Sequence, residues 1–280
     1  MSLSSSWSPA SPSGVVYVPP GPIVSGAVLA VAHRGGAGLA PENTLAAFER
    51  SYALGLRYLE TDVRVTSDGV CVTVHDSDLS RVTGSRAAGA RTPVARTDWS
   101  RLRQARVGGT ELVPRLEEAL DAFPDARFTI DLKDPRAIGP LAAALRRCAA
   151  TDRVCIAGSA DRWLADVRAV LGPRVATAMG WESLARLAVA ARVGASPYGV
   201  VRAPFAHVPL RLGRLPVFVD RLVGMAHELG SRVLVWTVDE PAQMHRLLDA
   251  GVDGIITDRP DLLREVMVAR GSWQAPAVGS

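Results

Sequence analysis

Short apolar runs alternate along the chain with longer amphipathic stretches, and the period changes from one to the other. Ala27 to Ala32 is apolar throughout, too short to cross a membrane, and predicts a buried strand that delivers His33 and Arg34 at its carboxyl end. Tyr58 to Val65 has a period of two, which puts Glu60 and Asp62 on one face and Thr61 and Val63 on the other. Ser67-Asp68-Gly69 is a turn signal, and Val70 to Val74 follows at once. A parallel neighbour would need a crossover of about a dozen residues, so these two runs are predicted to fold back as an antiparallel hairpin. Counting outward from a Val65–Val70 pair sets Asp62 opposite Thr73 and Glu60 opposite His75. The hairpin thereby brings His75 back to the two carboxylates.

After His33 the glycines 35, 36 and 38 predict a tight loop, and Pro41-Glu42-Asn43-Thr44 reads as a helix start with Asn43 or Thr44 as cap. Leu45, Phe48 and Tyr52 recur at helical spacing and would pack that helix on a sheet. Ser77 to Gly109 is polar, rich in Arg and Gly and aperiodic, long enough that a compact fold normally gives it a job, such as capping a site. Beyond a helix restarting at Val113, strands are predicted at Arg127 to Leu132, Val154 to Ala157, Val175 to Ala178, Tyr198 to Val201, Val233 to Val238 and Gly254 to Thr257, with helices between. With Val70 to Val74 taken as the return arm of the hairpin, eight strands remain. Eight strands in this order and length point to a (β/α)₈ barrel, with a hairpin extension of the second strand and a small insertion at about 77–113.

Composition changes this picture little. The 280 residues are 48% hydrophobic and 21% charged, enough for one barrel-sized domain, placed at 27–269. A Ser/Pro-rich leader (1–26) and a tail (270–280) are expected to be flexible. The leader lacks a basic start, and cleavage in the apolar run would damage the region of His33, so no signal peptide is expected and the location is expected to be cytoplasmic. Three cysteines, Cys71, Cys148 and Cys155, make no disulfide framework and read as reduced thiols. The net charge of +4 comes from singly scattered basic residues, which excludes a nucleic-acid patch or a stable membrane insertion. Of the 32 basic residues all but Lys133 are arginine.

In a barrel of this kind reactive groups gather at the carboxyl ends of strands. His33 ends the first strand, Glu60 and Asp62 the second, Asp131 and Lys133 the third and Trp236 the seventh. Glu60, Asp62 and Asp131 are a hard, oxygen-only ligand set suited to Mg²⁺ or Ca²⁺ rather than Zn²⁺. A divalent cation flanked by Lys133 and Arg34 is an anion site that phosphate fits best. His33 and His75 on either side can serve as general base and general acid. His227 and His245, in helical patterns, read as structural, His207 as a loop residue after Pro204, and Glu42 and Asn43 as no more than helix caps.

The matching pieces His33-Arg34-Gly35, Pro41-Glu42-Asn43-Thr44, Glu60-Thr61-Asp62-Val63, Asp68-Gly69, His75-Asp76, Trp236-Thr237-Val238 and Asp253-Gly254-Ile255-Ile256-Thr257-Asp258 stand in one order along the chain. Together they resemble the glycerophosphodiester phosphodiesterase family, a metal-dependent barrel group. The resemblance implies hydrolysis of a glycerophosphodiester, a small-molecule substrate, to sn-glycerol 3-phosphate and an alcohol, with the glycerol 2-hydroxyl attacking phosphorus to give a cyclic phosphate on the way. It implies one divalent cation on Glu60, Asp62 and Asp131, an acid–base pair in His33 and His75, Arg34 and Lys133 on phosphate, and Trp236 against the glycerol. Two positions depart from the family pattern: Asp131 stands where Glu is usual, and Asp239 where Asn often follows Trp-Thr-Val, adding a negative charge near the rim. The alternatives are a lysophospholipase D-type activity, which needs an apolar mouth that the loops after Val201 would have to supply, and a barrel that binds phosphorylated ligands without turnover.

Overall fold

Period two along the apolar runs becomes an inside and an outside. In the computed structural model, which describes Tyr17 and residues 28–84, 90–212, 215–216 and 220–273, eight parallel strands form the centre. They are β1 (Leu29–Ala32), β2 (Tyr58–Val65), β3 (Arg127–Leu132), β4 (Val154–Gly158), β5 (Ala176–Thr177), β6 (Phe205–Pro209), β7 (Arg232–Trp236) and β8 (Gly254–Thr257). The hydrogen-bonded order is β5-β4-β3-β2-β1-β8-β7-β6. A bridge between Ala178 and Phe205, with the Met179 N–H donating to Phe205 O at 2.8 Å, joins β5 to β6 and closes the ring as a (β/α)₈ barrel.

Leu59 and Val63 on β2, and Phe128, Ile130 and Leu132 on β3, point outward into the main apolar core under the helices. Their alternates point inward. At the lower end the interior is filled by Leu29, Val31, Cys155, Ala176, Phe205 and Leu234. At the upper end the inward positions turn polar, and there the strand termini gather Glu60, Asp62 and Asp131, with Asp62 and Asp131 directly opposite in register.

Three expectations are corrected. The sixth strand is Phe205–Pro209, not Tyr198–Val201, which lies in a loop where Tyr198 is 94% exposed. The alternation that matters is Phe205 and His207 inward with Ala206 and Val208 outward, and the flanking Pro204 and Pro209 disguise it as a break. Second, the return arm Cys71–Thr73 pairs Val63 with Thr73 and Val65 with Cys71, one residue away from the expected register. Thr66 causes the shift. Its N–H donates to Val70 O at 3.0 Å and its hydroxyl to Asp68 at 2.5 Å, so the loop is the three residues Ser67, Asp68 and Gly69, with Gly69 at φ 85°. His75 therefore lies beyond the ladder instead of opposite Glu60. Third, Leu45 is 39% exposed, and α1 (Leu45–Ala53) packs through Phe48 and Tyr52; its cap is Thr44, one of the two residues expected, whose hydroxyl accepts from the Ala47 N–H.

Between the hairpin and β3, the described part of the inserted stretch builds a small core of its own. Leu79, Val94, Leu102, Val107 and Val113 pack on Val72 and Val74 of the hairpin. Residues 85–89 lie outside the described residues.

Of the leader and tail expected to be flexible, Tyr17 and residues 270–273 are among the described residues, and the rest lie outside them. Trp273 packs against the outer core, and Tyr17 enters the lower end of the barrel. The Tyr17 ring is 1% exposed and meets Tyr58 and Phe205 edge-on, with centroids at 5.5 and 5.3 Å. Its hydroxyl shares a 2.5 Å hydrogen bond with Thr129 Oγ1, the floor of the upper cavity. Tyr17→Ala should therefore cost about 3–5 kcal/mol, as for other large-to-small changes at buried aromatics. Urea unfolding of the two proteins measures it, and a difference below about 1 kcal/mol would mean that Tyr17 is not a filler of the barrel interior.

Candidate active site

The upper end of the barrel opens into a pocket with two unlike walls. One carries His33, Arg34, Glu60, Asp62, His75, Asp131 and Lys133; the other carries Ala157, Ala178, Met179, Trp181, Leu184 and Trp236, with Thr129, His207 and Ile256 deeper in. Every residue singled out in the sequence for chemistry is thus brought to one cavity. The apolar wall comes from the ends of β4, β5 and β7 and the start of the helix Trp181–Val193, not from the loops after Val201.

His33 and Arg34 leave β1 in a tight turn where Arg34 has φ 49° and ψ 35°, a left-handed conformation uncommon for a residue with a Cβ. Gly35 follows at φ 81°, and a Cβ there would come within 2.7 Å of the Phe48 ring. The turn aims the Arg34 N–H at Glu60, which accepts it at 2.7 Å. Nδ1 of His33 donates to Asp258 at 2.7 Å, leaving Nε2 4.0 Å from Glu60. Burial favours the neutral ring, but the Asp258 hydrogen bond and the Glu60 charge outweigh it and hold His33 above its ordinary value. His75 reaches the same cavity with Nδ1 on Asp76 at 2.6 Å.

The carboxylates differ. Burial, and then the Asp62 charge, push Glu60 up to about 7. Asp62 is as deeply buried, yet Lys133 and Arg34 hold it below the usual carboxylate range. The Lys133 ammonium lies between Asp131 at 2.6 Å and Asp62 at 2.9 Å, and those two charges raise its pKa against the opposing effect of burial.

Sequence reasoning missed several contributors. Asn43, at φ 57°, donates to Asp62 at 2.8 Å and accepts from the Thr61 hydroxyl at 2.7 Å, so it orients the buried carboxylate instead of capping α1. Glu42 bonds Arg34 at 2.8 Å and takes a two-pronged contact from Arg81, which also donates to Asp76 at 2.5 Å. Arg81 thus ties the inserted stretch to both the Arg34 and the His75 sides. Asp239 is no free rim charge. It accepts from the Thr257 hydroxyl at 2.9 Å and the Asp258 N–H at 2.8 Å, fixing the turn that presents Asp258 to His33. His207 sits on β6 inside the barrel, not in a loop.

Among the described residues no three His, Cys, Asp or Glu side chains are arranged to hold a metal ion. The donor set of Glu60, Asp62 and Asp131 nevertheless fits a hard divalent cation, because it is all carboxylate oxygen. Glu60, raised first by burial and then by the Asp62 charge, is a carboxyl whose ionised form a bound cation would favour. Asp131, one methylene short of the usual glutamate, is turned to Lys133.

Comparison with known proteins points to one family. The family model described as the glycerophosphoryl diester phosphodiesterase family matches residues 33–262. A Mycobacterium tuberculosis protein named probable glycerophosphodiester phosphodiesterase 2 is 42% identical over 252 residues, 89% of this chain and 94% of that one. The crystal structure of a glycerophosphodiester phosphodiesterase from Agrobacterium tumefaciens superposes with a TM-score of 0.67 at 25% identity, covering 84% of this chain and 99% of the other. An Oleispira antarctica phosphodiesterase solved in complex with the product sn-glycerol-3-phosphate shares the fold, with a TM-score of 0.70 at 22% identity over 88% of this chain and 99% of the other.

Proposed function

Since this chain belongs to the glycerophosphoryl diester phosphodiesterase family, we propose that it hydrolyses glycerophosphodiesters to sn-glycerol 3-phosphate and an alcohol, with His33 and His75 as its acid–base pair. The observation that carries the reading is that two histidines of one pocket each hold a carboxylate on Nδ1, Asp258 and Asp76, and so present the other nitrogen to whatever occupies the cavity. That retained pairing also weighs against a barrel that only binds phosphorylated ligands. Glu60, Asp62 and Asp131 would hold a divalent cation, Mg²⁺ or Ca²⁺ by donor type, which would supply Lewis-acid polarisation of a phosphoryl oxygen. Arg34 and Lys133 neutralise the remaining phosphate charge, and the apolar wall with Trp236 receives the carbon skeleton. Asp258 and Glu60 favour the protonated His33 ring, which suits it to protonate the leaving oxygen. His75, oriented by Asp76, takes the proton from the attacking 2-hydroxyl as the alcohol leaves with a proton from His33; water then opens the resulting cyclic phosphate to glycerol 3-phosphate, with the two histidines in reversed roles.

The test is release of glycerol 3-phosphate from glycerophosphocholine, with EDTA and then with Mg²⁺ or Ca²⁺ restored. Release that depends on the cation supports the proposal; no release with either cation would overturn it. The same assay on lysophosphatidylcholine tells whether the apolar wall of Met179, Trp181 and Leu184 admits an acyl chain.

Lys133 gives a sharper check. Its compact ammonium fits between Asp62 and Asp131, whereas a planar guanidinium would bind Asp131 in a fork and displace it. Lys133→Arg should fold normally and lose about tenfold or more in kcat/KM, roughly 1.4 kcal/mol of transition-state stabilisation. A value within about twofold of the parent at saturating metal would mean that Lys133 supplies only charge.

A further inference from the structure

The pocket holds a third histidine that the proposed reaction does not use. His207 faces into the barrel from the middle of β6, and its Nε2 is buried with no hydrogen-bond partner among the described residues. His33 and His75 each carry a carboxylate on Nδ1; His207 carries none. We propose that His207 is a specificity-determining residue that hydrogen-bonds the terminal hydroxyl of the substrate's glycerol unit, the hydroxyl farthest from phosphorus. The inference rests on the glycerophosphodiester reading above.

Three observations lead to a hydroxyl rather than a charged group. Burial with no compensating charge pushes His207 down to about 4, so the ring is neutral near pH 7 and offers one N–H and one lone pair. A hydroxyl can meet either. The phosphate belongs to the opposite wall, where Arg34 and Lys133 stand, so the end of the glycerol remote from phosphorus is the part left to face β6. Finally, the other polar side chains deep in the cavity are already engaged: the Thr129 hydroxyl bonds Tyr17, and Trp236 Nε1 donates to the His207 carbonyl at 3.1 Å, while Ser159 lies exposed at the rim. A glycerol hydroxyl entering that depth loses its water partners and has the unpaired His207 nitrogen to replace them. An unpaired imidazole nitrogen in the same place is costly until such a partner arrives, and a site of this kind discriminates strongly against analogues lacking the hydroxyl.

The experiment compares two diesters, glycerophosphocholine and the analogue in which propane-1,2-diol replaces glycerol. The analogue keeps the 2-hydroxyl beside the ester and lacks only the terminal one. The ratio of their kcat/KM values is measured for the parent, His207→Phe and His207→Gln. The parent should prefer glycerophosphocholine by about tenfold or more. His207→Phe, which removes the unpaired nitrogen and fills the same space, should remain folded and bring the ratio to within about threefold. His207→Gln, which restores an amide donor and acceptor, should recover most of the preference. Equal turnover of the two diesters by the parent, or an unchanged ratio in His207→Phe, would overturn the assignment while leaving the proposed function intact. Turnover of neither diester by the parent would overturn both.

Discussion

Replacing His33 or His75 with alanine should lower kcat by about 10²–10⁴-fold while the barrel stays folded, because a positioned proton donor or acceptor typically contributes that much. The two losses should not add. If both groups act in one proton-transfer sequence, the double variant should be little slower than the worse single variant. His33 and His75 lie outside the apolar clusters that hold the strands and helices together, so circular dichroism and urea unfolding should change little. The route between them can be separated with a substrate whose 2-hydroxyl has been removed. Attack by that hydroxyl requires it, so turnover should vanish. Retained turnover would point to direct attack by water, still with the two histidines. A single variant within tenfold of the parent on glycerophosphocholine would remove that histidine from the reaction.

The barrel was legible where one chain segment carried its own period. β2 and β3 show inside and outside in the sequence because their inward alternates are polar, and so the candidate carboxylates and Lys133 could be read directly. β6 was not legible, because its inward Phe205 is as apolar as its outward Ala206 and Val208, and prolines bracket it. The hairpin register failed by one residue because a threonine side chain, which no hydrophobic pattern encodes, closes the loop. The supporting contacts share a different cause. Asn43 on Asp62, Asp258 on His33, Arg81 on Glu42 and Tyr17 on Thr129 join residues from 19 to 225 positions apart. Locally, Asn43 reads as a cap and Asp239 as a surface charge; only closure of the barrel gives them partners.

Glu60→Gln should make the metal-free protein more stable and the enzyme nearly inactive. Burial and the neighbouring Asp62 raise the Glu60 carboxyl from an ordinary 4.5 to about 7. Below about pH 4.5 it is protonated in the folded and unfolded chains alike and costs nothing. As pH rises from there toward 7, the unfolded chain ionises first, and folding is progressively disfavoured. Above pH 7 the full penalty is present, on the order of 3 kcal/mol for a shift of this size. Glutamine keeps the shape and can still accept the Arg34 N–H without the charge. In EDTA, the variant should therefore exceed the parent in urea stability by that order at pH 8 and by less than about 1 kcal/mol at pH 5. Added Mg²⁺ or Ca²⁺ should narrow the gap at pH 8, since a ligand that binds only the folded parent stabilises it. The activity cost should be at least about 100-fold, because even groups that merely support metal ligands are worth 10–100-fold. Equal stability of the two proteins at pH 8 in EDTA would mean that the buried carboxyl is not held against its ionisation. A variant with near-parental activity would remove Glu60 from the proposed ligand set.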